Sequence, residues 1–172
     1  MSADLKAAVA LARKLKEEAP KSFVAPPVGT RPANEYLLPF ALVRGTRGYV
    51  EKVVNQVNGC YEKGWFDGCA VMMRRLVETL IIECFEHHHI DHKIKNVKGD
   101  FLYLADLIDK TLQETTWNLG RNSKEGLPRL KKIGDYSAHN RRYNAHRRDV
   151  DNVASDFRVV CEDLLYISNL RK

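Results

Sequence analysis

The sequence predicts an all-α fold. Apolar residues recur with a 3.6-residue period in one segment after another, and turn residues separate those segments. No run of alternating β-branched residues occurs anywhere in the chain. At 172 residues the chain is long enough for one domain with a real core. Residues 1–33 are expected to form an N-terminal helix and a Pro-rich linker, and residues 34–172 the main helical domain.

Leu5, Ala8, Val9, Ala12 and Leu15 give residues 4–18 an amphipathic helical pattern. Pro20, Pro26, Pro27 and Pro32 then exclude helix, so this first element hangs on an extended tether as an appendage, a swapped arm or a lid. Residues 35–43 read as a short apolar helix. Gly45 and Gly48 lead into a second helix at 48–62, with Val50, Val53, Val54 and Val57 on one side. Lys63 to Gly68 is a turn, with Asp67 a candidate N-cap. The longest helix follows at 68–88, where Cys69, Met72/Met73, Leu76/Val77, Leu80/Ile81 and Cys84/Phe85 form a stripe wide enough for a central core helix. Gly99-Asp100 signals a helix at 101–114. Gly120, Gly126 and Pro128 mark a loop, with Pro128 suited to a first helical turn. Residues 129–148 form a basic helical segment. Asp149 or Asp151 caps a last helix, which buries Val150, Val153, Phe157, Val160, Cys161, Leu164 and Ile167.

The longest apolar runs, such as 37–43, are far short of the ~20 residues that cross a bilayer. The first residues lack the pattern of a secretory signal, so a cytoplasmic protein without membrane contact is expected. Cys60, Cys69, Cys84 and Cys161 sit at helical positions among apolar residues, with no metal-ligand spacing, and read as small buried hydrophobes. No phosphate-binding loop, dinucleotide fingerprint, zinc-protease motif or nucleophile elbow is present, and no cofactor is expected. The net charge of +6 becomes informative because the excess is uneven: across 121–148, Glu125 and Asp135 are the only acids among many lysines and arginines.

Lys132, His139 and His146 are spaced by seven residues, two turns apart on one face of a continuous helix, with Asp135 and Arg142 filling the same stripe. Histidine is a poor choice for mere solubility, and the neighbours Ser137, Ala138, Asn140 and Ala145 are small enough for close approach of another backbone. Gly134 weakens the helix by about 1 kcal/mol against alanine, marking a kink or a helix start.

Gly134-Asp135-Tyr136-Ser137-Ala138-His139 resembles the G-[N/D]-x-x-A-H signature of a bacterial domain-of-unknown-function family grouped with the HEPN superfamily, whose domains occur alone and fused to restriction enzymes. The stretch from Gly64 to Glu78, which carries Arg74-Arg75-x-x-Glu78, is similar to that family's long helix. The resemblance spans about residues 35–170. It implies a four- to five-helix HEPN-like bundle, a homodimer and, in active members, a metal-independent ribonuclease with an R-x(4–6)-H motif. In that chemistry the ribose 2′-hydroxyl attacks its own phosphate, His moves a proton and Arg stabilises the growing charge. This chain departs from the motif, because Lys132 stands seven residues before His139 and lacks the guanidinium fork. The literal R-x4-H runs from Arg141 to His146, which point ~140° apart on a straight helix, and Arg142 is the better neighbour of His146.

Arg74 and Glu78 are either an intrahelical ion pair worth ~0.3–0.5 kcal/mol or inward groups that orient His139 or Asp135. His87, His88, His89 and His92 invite a zinc reading, but histidines at a helix C-terminus also suit its dipole, and no metal is expected. The leading expectation is a HEPN-like endoribonuclease or RNA-binding protein of a defence or stress system. The competing one is a non-catalytic helical module that partners a restriction or toxin–antitoxin system, with His139 only tying helices together.

Overall fold

The stripe read between Cys69 and Phe85 becomes the axis of the molecule. In the computed structural model, which describes residues 37–171, the chain runs α1 (Gly48–Glu62), α2 (Phe66–His87), α3 (Leu104–Gln113), α4 (Arg121–His139) and α5 (Arg147–Ile167). Two 3-10 turns, Phe40–Leu42 and Asp91–Ile94, complete the described elements. The fold is an all-α bundle. Among the described residues the one strand-like feature is an isolated bridge between Lys95 and Phe101. The expected helix at 4–18 and its linker lie outside the described residues.

Helix α2 packs against all four other helices. It can do so because its apolar residues cover most of its circumference: Cys69, Met73, Leu76, Val77, Leu80, Ile81, Cys84 and Phe85 are all buried. Val50, Val53, Val54 and Val57 seat α1 on it, and Val150, Val153, Phe157, Val160 and Leu164 seat α5. Cys60, Cys69, Cys84 and Cys161 are unpaired, and burial pushes every one of these thiols up, Cys69 to about 12. They pack rather than react. No helix among the described residues is long and apolar enough to cross a membrane.

Several boundaries differ from the sequence expectation, each for a local reason. Where a helix was expected at 35–43, the described part holds only the 3-10 turn after Pro39. Side chains from elsewhere satisfy this segment's backbone: Asn58 accepts from Leu38 N (3.1 Å) and donates to Leu38 O (2.8 Å), and Arg158 Nε donates to Leu37 O (2.7 Å). The helix expected at 101–114 starts at Leu104, because Phe101 is held in an extended bridge to Lys95 and the backbone is still extended at Tyr103. Asp67 does not cap α2; it lies within the first turn and Trp65 takes the cap position.

The largest correction concerns 120–148. Gly126 and Pro128 do not mark a loop, and Pro128 is not in a first turn: both lie inside α4, which runs unbroken through Gly134. Gly126 serves close packing, since a Cβ there would meet Asp156 Cβ and Val160 Cγ2 of α5 at 3.2 Å. Pro128 points to solvent while Leu127, Leu130 and Ile133 are buried around it. Their burial offsets the hydrogen bond that the proline removes. The helix then stops at His139, so 129–148 is not one helix, and neither Asp149 nor Asp151 caps the last one; His146 does.

Asn58 is completely buried and is the side chain that pairs with both backbone groups of Leu38. Asn58→Ala leaves those groups in the core without that partner. Urea unfolding should show a loss of about 1–3 kcal/mol for each group left unsatisfied, while helical content stays unchanged.

Candidate nucleic-acid interface

The site begins where α2 and α4 cross. At Gly134 the Arg74 stem lies on the α4 backbone so closely that a Cβ would fall 2.6 Å from Arg74 Cβ and 2.9 Å from its Cδ. Glycine is therefore required by the crossing, neither kinking nor starting the helix. With its stem held there, Arg74 reaches one residue further along α4, where its Nε donates to Asp135 Oδ1 (2.9 Å). Its Nη1 lies 3.5 Å from Glu78 on its own helix. Lys131, one turn before Asp135, donates to the other carboxylate oxygen. Burial pushes the Asp135 carboxyl up, but hydrogen bonds and charge from Lys131 and Arg74 outweigh it and hold the group below the usual carboxylate value.

The end of α4 is set by polar side chains. Asn140 Oδ1 accepts from Arg142 N (3.0 Å), a local turn that competes with further helix. Asp67, in the first turn of α2, accepts from Ala145 N (3.0 Å), and Ala145 is buried. His146 N then donates to Asp149 Oδ2 (2.9 Å), one half of a capping box that starts α5. Between these anchors Arg141 and Arg142 are exposed, as are His139 before them and His146, Arg147 and Arg148 after. Arg147 lies over the Tyr61 ring, 5.0 Å from its centroid, and its Nη2 donates to the Tyr61 hydroxyl (3.2 Å).

Beside this junction an open cleft of about 500 Å³ runs between the start of α3 and the last turns of α4. Arg74, Lys131 and Asp135 form part of its lining, and Tyr103, Tyr136 and His139 stand at it. A second groove of about 440 Å³ continues along α4 past Lys132 and Pro128, sharing Lys131, Asp135 and Tyr136. Tyr136 thus borders both. Lys132 Nζ sits 5.7 Å from the Tyr136 ring centroid and the Tyr143 ring packs 5.6 Å away. Cations interleaved with exposed aromatics are the composition that holds single-stranded nucleic acid, by phosphate neutralisation and base stacking.

The structure brings together His139, Asp135 and Arg74, with Glu78 behind Arg74. Lys132 belongs to the neighbouring groove. Arg141, Arg142 and His146 line neither groove, because the chain leaves the helix at Asn140 and the single stripe of Lys132, Asp135, His139, Arg142 and His146 does not exist. Sequence reasoning passed over Lys131 and Tyr103. The four-residue spacing of Lys131 and Asp135 was an available signal. Tyr103 gave none, since its exposure follows from how α3 meets α4. The His87–His92 run holds no metal geometry: no group of three or more His, Cys, Asp or Glu among the described residues is gathered for an ion. His88 instead packs on Trp117, with its Nε2 3.2 Å from Ile167 O. Comparison of the chain with protein-family models, curated protein sequences and solved structures gives no match.

Two outcomes follow from the crossing. Gly134→Ala gains about 1 kcal/mol of helix propensity but must push Arg74 aside at a cost of about 2–3 kcal/mol, so chemical denaturation should register a net loss of about 1–2 kcal/mol. Because the Asp135 pKa is depressed in the folded state, its stabilisation is complete above the unfolded carboxyl pKa and fades as pH falls through the folded value. Asp135→Asn should therefore be less stable than wild type at neutral pH, and the two unfolding midpoints should converge in acid below the ordinary carboxylate range.

Proposed function

We propose that this bundle binds single-stranded RNA at the α4–α5 junction and cleaves it without a metal, with His139 carrying the proton. The observation that supports this most directly is the shared cleft: an imidazole, two cations and two exposed tyrosines border one open space. Arg141, Arg142 and Arg148, exposed around the 140–146 turn, are placed to meet phosphates leading into it. In the reaction the ribose 2′-oxygen bonds to phosphorus, its proton passes to His139, and the bond to the 5′-oxygen breaks, that oxygen taking a proton from water. Arg74 and Lys131 offset charge on the phosphoryl oxygens. DNA, lacking the 2′-hydroxyl, is bound but not cut. A homodimer is part of this reading: Arg142 and His146, which do not line the cleft of their own chain, would be supplied to His139 of a second copy.

One observation favours the competing reading of a non-catalytic module that partners a restriction or toxin system. Asp135 already pairs with both cleft cations and ties α2 to α4, a network that needs no substrate to explain it.

Incubation with single-stranded RNA in EDTA separates the readings. Wild type should cut RNA and spare the same DNA sequence, and His139→Ala should lower the rate by about 10²–10⁴-fold while leaving RNA affinity within a few fold. Binding without cleavage removes His139 as a proton carrier. Absence of binding at low salt rejects the RNA reading altogether.

A further inference from the structure

We propose that the cleft beside His139 holds a single base of the bound strand and selects guanine, with Tyr103 and Tyr136 as stacking surfaces and Asp135 as the reader of the base edge. The proposal rests on the RNA reading and adds to it a base identity.

Tyr103 is 84% exposed and Tyr136 43%, and both stand at the same cleft. The Tyr136 ring is steadied by Lys132 and Tyr143, whereas Tyr103 has no ring or cation partner among the described residues. The cleft volume falls in the range of small-ligand sites. Its polar lining carries the discrimination. A carboxylate has two oxygens with two acceptor positions each. Arg74 takes one position on Oδ1 and Lys131 one on Oδ2, so each oxygen keeps one acceptor position. Asp135 remains partly open, its side chain 27% exposed, and those same two contacts keep it ionised and acceptor-only. Guanine alone among the four RNA bases presents two parallel donors on neighbouring atoms, its ring N–H and its exocyclic amine. Its carbonyl oxygen, next in line, calls for a donor, which the Lys131 ammonium supplies from protons that Asp135 does not use. Adenine and cytosine set an amine beside an acceptor, and uracil sets one N–H between two carbonyls; each turns a lone pair toward the carboxylate.

The test is equilibrium binding of GMP, AMP, CMP, UMP and XMP to the full chain, beside an oligouridylate with and without one guanosine. GMP should bind about tenfold or more tightly than the other three common nucleotides, and Tyr103→Ala should weaken it by a similar factor. Asp135→Asn replaces one acceptor by a donor, which suits the xanthine edge, so its preference should pass from GMP to XMP. Equal binding of the four common nucleotides, no nucleotide binding, or GMP affinity indifferent to Tyr103→Ala each overturns the guanine site. If both oligonucleotides bind equally, RNA binding stands and guanine selection falls; if GMP binds and neither oligonucleotide does, the guanine pocket stands and the RNA reading falls. The nucleotide panel on wild type decides the matter even if Asp135→Asn does not fold.

Discussion

The crossing of α2 and α4 at Gly134 governs everything built above it. A helix can be crossed this closely only where it lacks a Cβ, and Arg74 occupies the space thereby freed. The consequence is positional. Because its stem is held on the α4 backbone, the guanidinium has little freedom and meets the next residue, Asp135, at 2.9 Å. Lys131 closes the other side of the carboxylate, and His139 follows one turn beyond. One glycine thus fixes the separation of two helices and the order of the charged groups along their seam.

The far side of the junction is held by the same helix. Asp67, two turns before Arg74 on α2, accepts from the backbone of Ala145, so α2 grips the chain both before and after the break in α4. Asn140 supplies the break through its own turn with Arg142. Between the two grips the exposed arginines sit on a segment whose backbone is anchored by side chains, although they themselves extend into solvent. Such a segment presents cations at low cost in chain entropy, because its backbone is ordered before any ligand arrives.

This arrangement explains what was legible beforehand. Helices α1, α2 and α5 could be read from their stripes because each buries a wide face, and burial is what periodicity records. The region from Gly120 to Arg148 could not. Gly126 and Gly134 carry the composition of a loop, yet each is small because another helix lies against it, a tertiary cause that one-dimensional punctuation cannot express. Pro128 is tolerated for the same reason, with buried Leu127 and Leu130 holding the helix around it. The candidate site was half visible. Arg74, Asp135 and His139 stood in short motifs and do meet at one cleft. The seven-residue spacing of Lys132, His139 and His146 misled, because it assumed a helix that Asn140 and Asp67 interrupt. Tyr103 was invisible because nothing local distinguishes a tyrosine beside a groove from one in open solvent.

Asp135 is the residue that a purely electrostatic account handles worst. A surface meant only to attract a polyanion gains from every uncompensated cation, and a carboxylate at its centre cancels part of the charge of Arg74 and Lys131. A structural account handles it well, since a carboxylate that ties two helices while still partly open avoids the desolvation penalty that full burial would impose. Asp135 is both paired and reachable. In the guanine-site proposal its paired acceptor positions hold its neighbours in place and the remaining ones meet the ligand. The cations beside it keep the carboxylate ionised, and in the same proposal they also supply donors to a planar, polar ligand.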